Sequence, residues 1–180
     1  MLTALPLLDD VLDHHAGQLG RDFTAYRNHT YRVANFCCVL AEREGRHVDE
    51  WLLRTISVAA AFHDLGIWTE DTWDYLPPSR RRAHQWLQAH GHPQCHAHVD
   101  EMILQHHKLS PYHDDTLVEA FRRADLADVS RGLIASSIPR AFLSEVFAHY
   151  PNAGFHRRLV HFSCRHLLRH PLNPMPMMRW

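Results

Sequence analysis

Periodicity and chemistry conflict along this chain, and that conflict limits what it can fold into. Apolar residues recur at helical spacing over most of its length, strand-like alternation is nearly absent, and only seven glycines interrupt the pattern. Yet several helical stripes run into imidazole or carboxylate groups where an apolar face should continue. In "WLLRTISVAAAFHDLG", Leu52, Ile56 and Ala59 form a stripe whose next positions are His63 and Asp64. Tyr26, Val33, Phe36 and Leu40 form another, with His29 one turn before Val33. Val99 and Ile103 lead to His106 and His107, while Leu117 and Phe121 lead to Asp125, with Asp128 one turn further on.

Taken singly, each residue has an ordinary explanation. A histidine on an apolar stripe is commonly a hydrogen-bonded core residue, and an aspartate near a helix end is commonly a cap or an ion-pair partner. Four helices at once need a common cause. A buried carboxylate must be paired, protonated or bound to a cation, and no arginine stands at the matching stripe positions. A divalent cation would satisfy all these groups together. Imidazole and carboxylate donors without sulfur suit iron, manganese or zinc and do not pick one of them, with iron or manganese expected first. Magnesium, nickel and cobalt are compatible, as one ion or two.

Composition narrows the class. The 180 residues suffice for one domain with a sizeable core, and a net charge of −1 gives no overall field for nucleic acid or an anionic membrane. The outlier is histidine, at 18 residues. Cys37, Cys38, Cys95 and Cys164 lack metal-knuckle spacing and read as reduced thiols of an intracellular protein. "MLTALPLLDDVLDHH" has neither a basic start nor a long apolar run, so no signal peptide is expected. No apolar stretch is long enough to span a bilayer, and a cytoplasmic location is expected.

The expected fold is an all-α single-domain bundle over residues 1–180. Its helices are expected at 5–18, 22–44, 48–65, 79–90, 95–108, 114–131, 139–149 and 152–169. Ser79, after Pro77-Pro78, is the expected N-cap of the fourth helix. The loop "IWTEDTWDYLPPS" carries Trp68, Trp73 and Tyr75, which could stack on a substrate or staple the loop to the body. An irregular tail at 170–180, rich in Met and Trp, could dock on the body or on a second copy in a homodimer.

The order and context of these residues resemble the HD-domain metal-dependent phosphohydrolases. The shared pattern is His29 in "NHTYRVANF", His63-Asp64 in "FHDLG" and Asp125 in "FRRADLAD". Arg32-Val33, Leu65-Gly66 and Ala124 match the flanking residues, and the resemblance covers about 22–131, which would form the core of the fold. It implies a first metal held by His29, His63, Asp64 and Asp125. It also implies a binuclear site completed by His84, His106 and His107, with Asp64 bridging. One departure stands out: Ile67 occupies a place where many relatives carry Lys, and Lys108 is the candidate to replace it.

The resemblance further implies hydrolysis of a small phosphate ester, a nucleotide among the candidates, by a metal-activated water. Unligated His107 or Asp128 would move protons, and arginines would clamp phosphate. The clamp candidates are Arg32, the run Arg80-Arg81-Arg82, and Arg122 with Arg123. Relatives that use a diiron pair to activate oxygen share a similar ligand set, so an HD-fold oxygenase cleaving a carbon bond is the alternative. The last helix has a basic outer face and is read as core packing.

Overall fold

The longest helix, α3 (Phe23–Arg43), is buried on nearly every side, and the rest of the molecule is arranged around it. The computed structural model describes residues 1–178. Before α3 come α1 (Pro6–His14) and α2 (Ala16–Leu19). After it come α4 (Glu50–Phe62), α5 (Gly66–Thr69), α6 (Leu76–Ala89), α7 (His96–Gln105), α8 (Thr116–Val129), α9 (Arg140–His149) and α10 (Phe155–Arg169). The described residues contain no strand, as the periodicity predicts. Among them no helix is long and apolar enough to cross a membrane.

Polar residues inside α3 are tolerated because each has a partner. Asn28 donates to the Pro151 carbonyl at 2.8 Å. Asn35 accepts from the Leu2 amide at 2.7 Å and donates to the Leu2 carbonyl at 3.0 Å. The most extensive packing of α3 is against α8, with α4 on another side, and α7 contacts both α4 and α8. Asp49 caps α4 by accepting from the Leu52 amide at 2.8 Å, and Asp115 caps α8 by accepting from the Leu117 amide at 2.6 Å.

The connection from α4 to α6 departs from expectation. Leu76-Pro77-Pro78 opens α6 rather than preceding it, because a proline in the first helical turn lacks only an amide that would be unpaired there. Ser79 is therefore no cap. Its hydroxyl lies inside the helix and accepts from the Gly66 amide at 2.9 Å. Gly66 has to be glycine, since a Cβ there would lie 2.6 Å from the Tyr75 carbonyl. This close approach folds the loop back so that Trp73, Tyr75 and Ile67 form a second apolar cluster with Leu76, Phe162 and Met177. The tail thus docks on the body through Met177, which is 1% exposed.

Candidate metal centre

Four helices deliver their polar stripe residues to one place. α3 contributes His29, and the turn ending α4 contributes His63 and Asp64. The end of α7 contributes His106, with His107 beside it, and α8 contributes Asp125. Three overlapping groups form: His29, His63 and Asp125; His63, Asp64 and His106; and His106, His107 and Asp125. Within each group the ligand-type atoms lie within 4.8 Å of one another, and such groups could hold a metal ion.

Hydrogen bonds on the far side of each ring decide which nitrogen faces inward. His63 Nδ1 lies 2.8 Å from the Ala60 carbonyl and His106 Nδ1 lies 2.8 Å from the Ile103 carbonyl. A carbonyl only accepts, so both Nδ1 atoms carry hydrogen and both neutral rings offer Nε2 lone pairs. His29 Nδ1 lies 2.6 Å from Asp128 Oδ2. Asp128 also receives the Arg32 side chain through both carboxylate oxygens, so it is ionised and His29 Nδ1 is the donor.

With neutral rings and ionised carboxylates, the inward atoms are all acceptors and cannot satisfy one another. His29 Nε2 and His63 Nε2 are 2.9 Å apart. Asp64 Oδ2 lies 3.6 Å from the first and 3.5 Å from the second, while Asp64 Oδ1 lies 3.4 Å from His106 Nε2. Asp125 Oδ1 is 3.7 Å from both His29 and His63 Nε2. Adjacent ligands ~2.1 Å from one ion would be about 3.0–3.4 Å apart, close to this range. Asp64 Oδ1, His106 Nε2 and Asp125 Oδ1 are buried without a hydrogen-bond partner. Lone pairs and carboxylates that converge away from water need a cation or protons between them.

The charge balance agrees. Burial pulls the His29 pKa down, but hydrogen bonds to Asp128 and Asp64 and the charges of Asp128 and Asp125 raise it to about 9. Burial likewise opposes charge on His106, and Asp64 and Asp125 outweigh it and raise its pKa. Burial favours neutral forms of Asp64 and Asp125, yet the surrounding histidines hold both below the usual carboxylate range. Without a metal, the carboxylates recruit protons onto the rings. Protons and a divalent ion therefore compete for the same lone pairs.

His107 differs from its neighbours. Burial and the adjacent His106 lower its pKa to about 3, so it stays neutral, and its Nε2 is hydrogen-bonded to the Tyr75 hydroxyl. Asp128 is fully buried and both its oxygens are committed to His29 and Arg32. It orients an imidazole and does not face the cavity, where it would have to be to move protons. Arg32 also donates to the Tyr150 carbonyl at 3.0 Å, so it holds this carboxylate rather than a phosphate.

The other expected site residues lie elsewhere. His84 belongs to none of the three groups. It sits on α6 with Nε2 2.9 Å from Asp100 Oδ1 and its ring stacked on His96 at 4.3 Å. Arg80 donates to Asp100 at 3.0 Å, Arg81 and Arg82 pair with Glu70, and Arg123 pairs with Glu44 and the Ser136 carbonyl. Arg122 makes a two-pronged pair with Glu119, 2.7 Å on each side. Trp68 donates to Asp22 at 3.0 Å and packs on Tyr26 with ring centroids 4.7 Å apart, so it staples the loop. Ile67 is buried in the second apolar cluster and belongs to the core. Lys108 lines a cavity of about 170 Å³ beside His106, His107 and Asp125.

Two contributors escaped the sequence reading. Phe155, at the start of α10, stacks on His29 with ring centroids 4.0 Å apart. Tyr26 donates to the Ala61 carbonyl at 3.0 Å and stacks on His63. Both looked like plain core aromatics, and nothing in their local spacing marks the ring they cover. The chain matches no protein-family model, no curated protein and no solved structure.

Proposed function

We propose that the chain is an HD-type metal-dependent hydrolase that cleaves a small phosphate ester. The observation behind this reading is the convergence of buried, partnerless Asp64 Oδ1, His106 Nε2 and Asp125 Oδ1 with rings whose Nδ1 atoms are already bonded. The two oxygens of Asp64 face different histidines, Oδ2 toward His29 and His63 and Oδ1 toward His106. That split suits a carboxylate shared by two ions, with His29, His63 and Asp125 on one and His106 with His107 on the other. A bound divalent ion would lower the pKa of a water toward ~7 and neutralise phosphoryl oxygens.

The chain's own residues do the rest. Asp128, backed by Arg32, holds His29 in the tautomer that presents Nε2. Phe155, Phe121 and Tyr26 wall off the histidines from water. His107 is neutral and is held in place at the border of the site by its hydrogen bond to the Tyr75 hydroxyl. Lys108 on the rim supplies positive charge for an anionic ester.

One observation favours oxygen activation by a diiron pair instead. Arg32, Arg80, Arg81, Arg82, Arg122 and Arg123 all hold carboxylates of the chain itself. Metal analysis and EPR on the natively expressed protein, followed by a panel of phosphomonoesters and nucleotides, separate the two. Metal-dependent release of phosphate supports hydrolysis. A mixed-valent iron signal with oxygen uptake and no phosphate release supports the oxygenase.

A further inference from the structure

The cavity beside the cluster has one polar end and one apolar end. Apart from the ligand-type residues and Lys108, its walls are Leu109, Leu126, Val129, Met178 and Arg122. The charge of Arg122 is neutralised by Glu119, and its Nη1 donates to the Lys108 carbonyl at 3.1 Å. Leu109 and Val129 stay exposed at 54% and 37%, an apolar rim kept in water. Met178 comes from the tail, which is held against the body on either side of Met175. Met177 beside it is buried, the Met178 amide donates to the Met175 carbonyl at 3.1 Å, and His166 Nε2 donates to the Asn173 carbonyl at 3.0 Å.

From this arrangement we infer that Met178, Val129, Leu126 and Leu109 form an apolar subsite that selects substrates carrying a phenyl-sized or short branched alkyl group next to the reacting group. The volume of about 170 Å³ for the whole cavity is the upper bound on that size, because an apolar cavity of about 150 Å³ accommodates benzene. The polar end of such a substrate would meet His107 and Lys108. Met178 would then be a specificity residue supplied by the tail. This inference rests on the reading of the cluster as a metal-dependent catalytic site. It does not require that the reacting group be a phosphate.

Binding without turnover tests it. Calorimetry on protein carrying its native metal would compare phenylphosphonate with methylphosphonate, and phenylacetate with acetate. The phenyl member of at least one pair should bind at least about tenfold more tightly. Met178→Ser and Val129→Ser should each reduce that ratio toward one and leave the affinity for the methyl member unchanged. The inference is overturned if phenyl and methyl members bind alike, if no member of either pair binds, or if the ratio survives both substitutions. A ratio seen only for the carboxylate pair would keep the subsite and remove the phosphate reading.

Discussion

Two histidine clusters in this molecule use the same residue types, and only one is built like a ligand site. The inner cluster joins His29, His63 and His106 to Asp64 and Asp125. The outer one joins His84 and His96 to Asp100 on the α6–α7 face. Both contain buried nitrogen and oxygen atoms without a hydrogen-bond partner, so orphaned atoms alone do not distinguish them. What distinguishes them is the opposite side of each ring. Inner histidines donate Nδ1–H to a carbonyl or carboxylate, which fixes the tautomer and aims Nε2 at the carboxylates. Outer His84 has no such bond, its side chain is 38% exposed, and Asp100 already accepts from Arg80. Convergence plus fixed tautomers marks the site; histidine density does not.

The sharpest way to break this comparison is to truncate one histidine in each cluster. His63→Ala should take metal per protein from its wild-type ratio to near zero and abolish metal-dependent activity. His84→Ala should leave the metal ratio unchanged. Elemental analysis of both variants decides it. Equal metal loss in the two would mean the outer cluster takes part. A folded His63→Ala protein, shown by circular dichroism, with full metal content would remove the inner one.

Asp128→Asn asks how much fixing the tautomer contributes. Asparagine keeps the shape but can no longer match both His29 and Arg32 as an anion. Metal affinity should fall about 10–100-fold, the usual cost of losing a group that orients a metal-binding histidine. Competition with a chelator of known affinity measures it. An unchanged affinity would show that convergence alone is enough.

The contrast also shows what the sequence carried. The expected helices begin and end within three residues of the positions their stripes predict, except that the first splits at His15, and the short α5 stands in what reads as a loop. The convergence of His29, His63, Asp64, His106, His107 and Asp125 was legible for the same reason: helical period places them on faces that otherwise read as core. His84 was misplaced because its direction depends on how α6 is set down, through Pro77-Pro78 in its first turn and the Ser79–Gly66 bond. The arginines misled because their partners are far away in sequence. Arg32 meets Asp128 and Arg123 meets Glu44 only once α3 and α8 have packed.

Gly66→Ala acts on that same connection without touching a ligand. The new Cβ would need the space of the Tyr75 carbonyl, 2.6 Å away, and backbone cannot step aside as a side-chain tip can. Overpacking of this kind costs about 1–3 kcal/mol. The variant should melt at lower temperature and lose activity through displaced Tyr75, with its metal content retained. Normal stability would mean that the loop shifts freely and that Tyr75 is not held in place.

The smallest expected effect concerns His15, a buried histidine outside both clusters. Its neighbours are His14, Gln18 and Arg82, with Asp10 across the adjoining cavity, and its Nδ1 has no partner. Burial, then His14 and Arg82, lower its pKa from 6.5 to about 4. The sign follows from proton counting. Between those two values the unfolded chain takes up a proton that the folded chain refuses, so stability is full above about pH 6.5 and falls as pH drops toward 4. Inner His29 has the opposite shift, upward to about 9, because carboxylates face it. His15→Gln should therefore flatten the decline of the unfolding free energy, read from urea titrations between pH 6.5 and 4.5, by about 1 kcal/mol or less, since solvent screens part of the ring. An identical slope in variant and wild type would mean that His15 opens to water before it titrates. Burial without a facing carboxylate would then not be enough to make a histidine acid-sensitive in this fold.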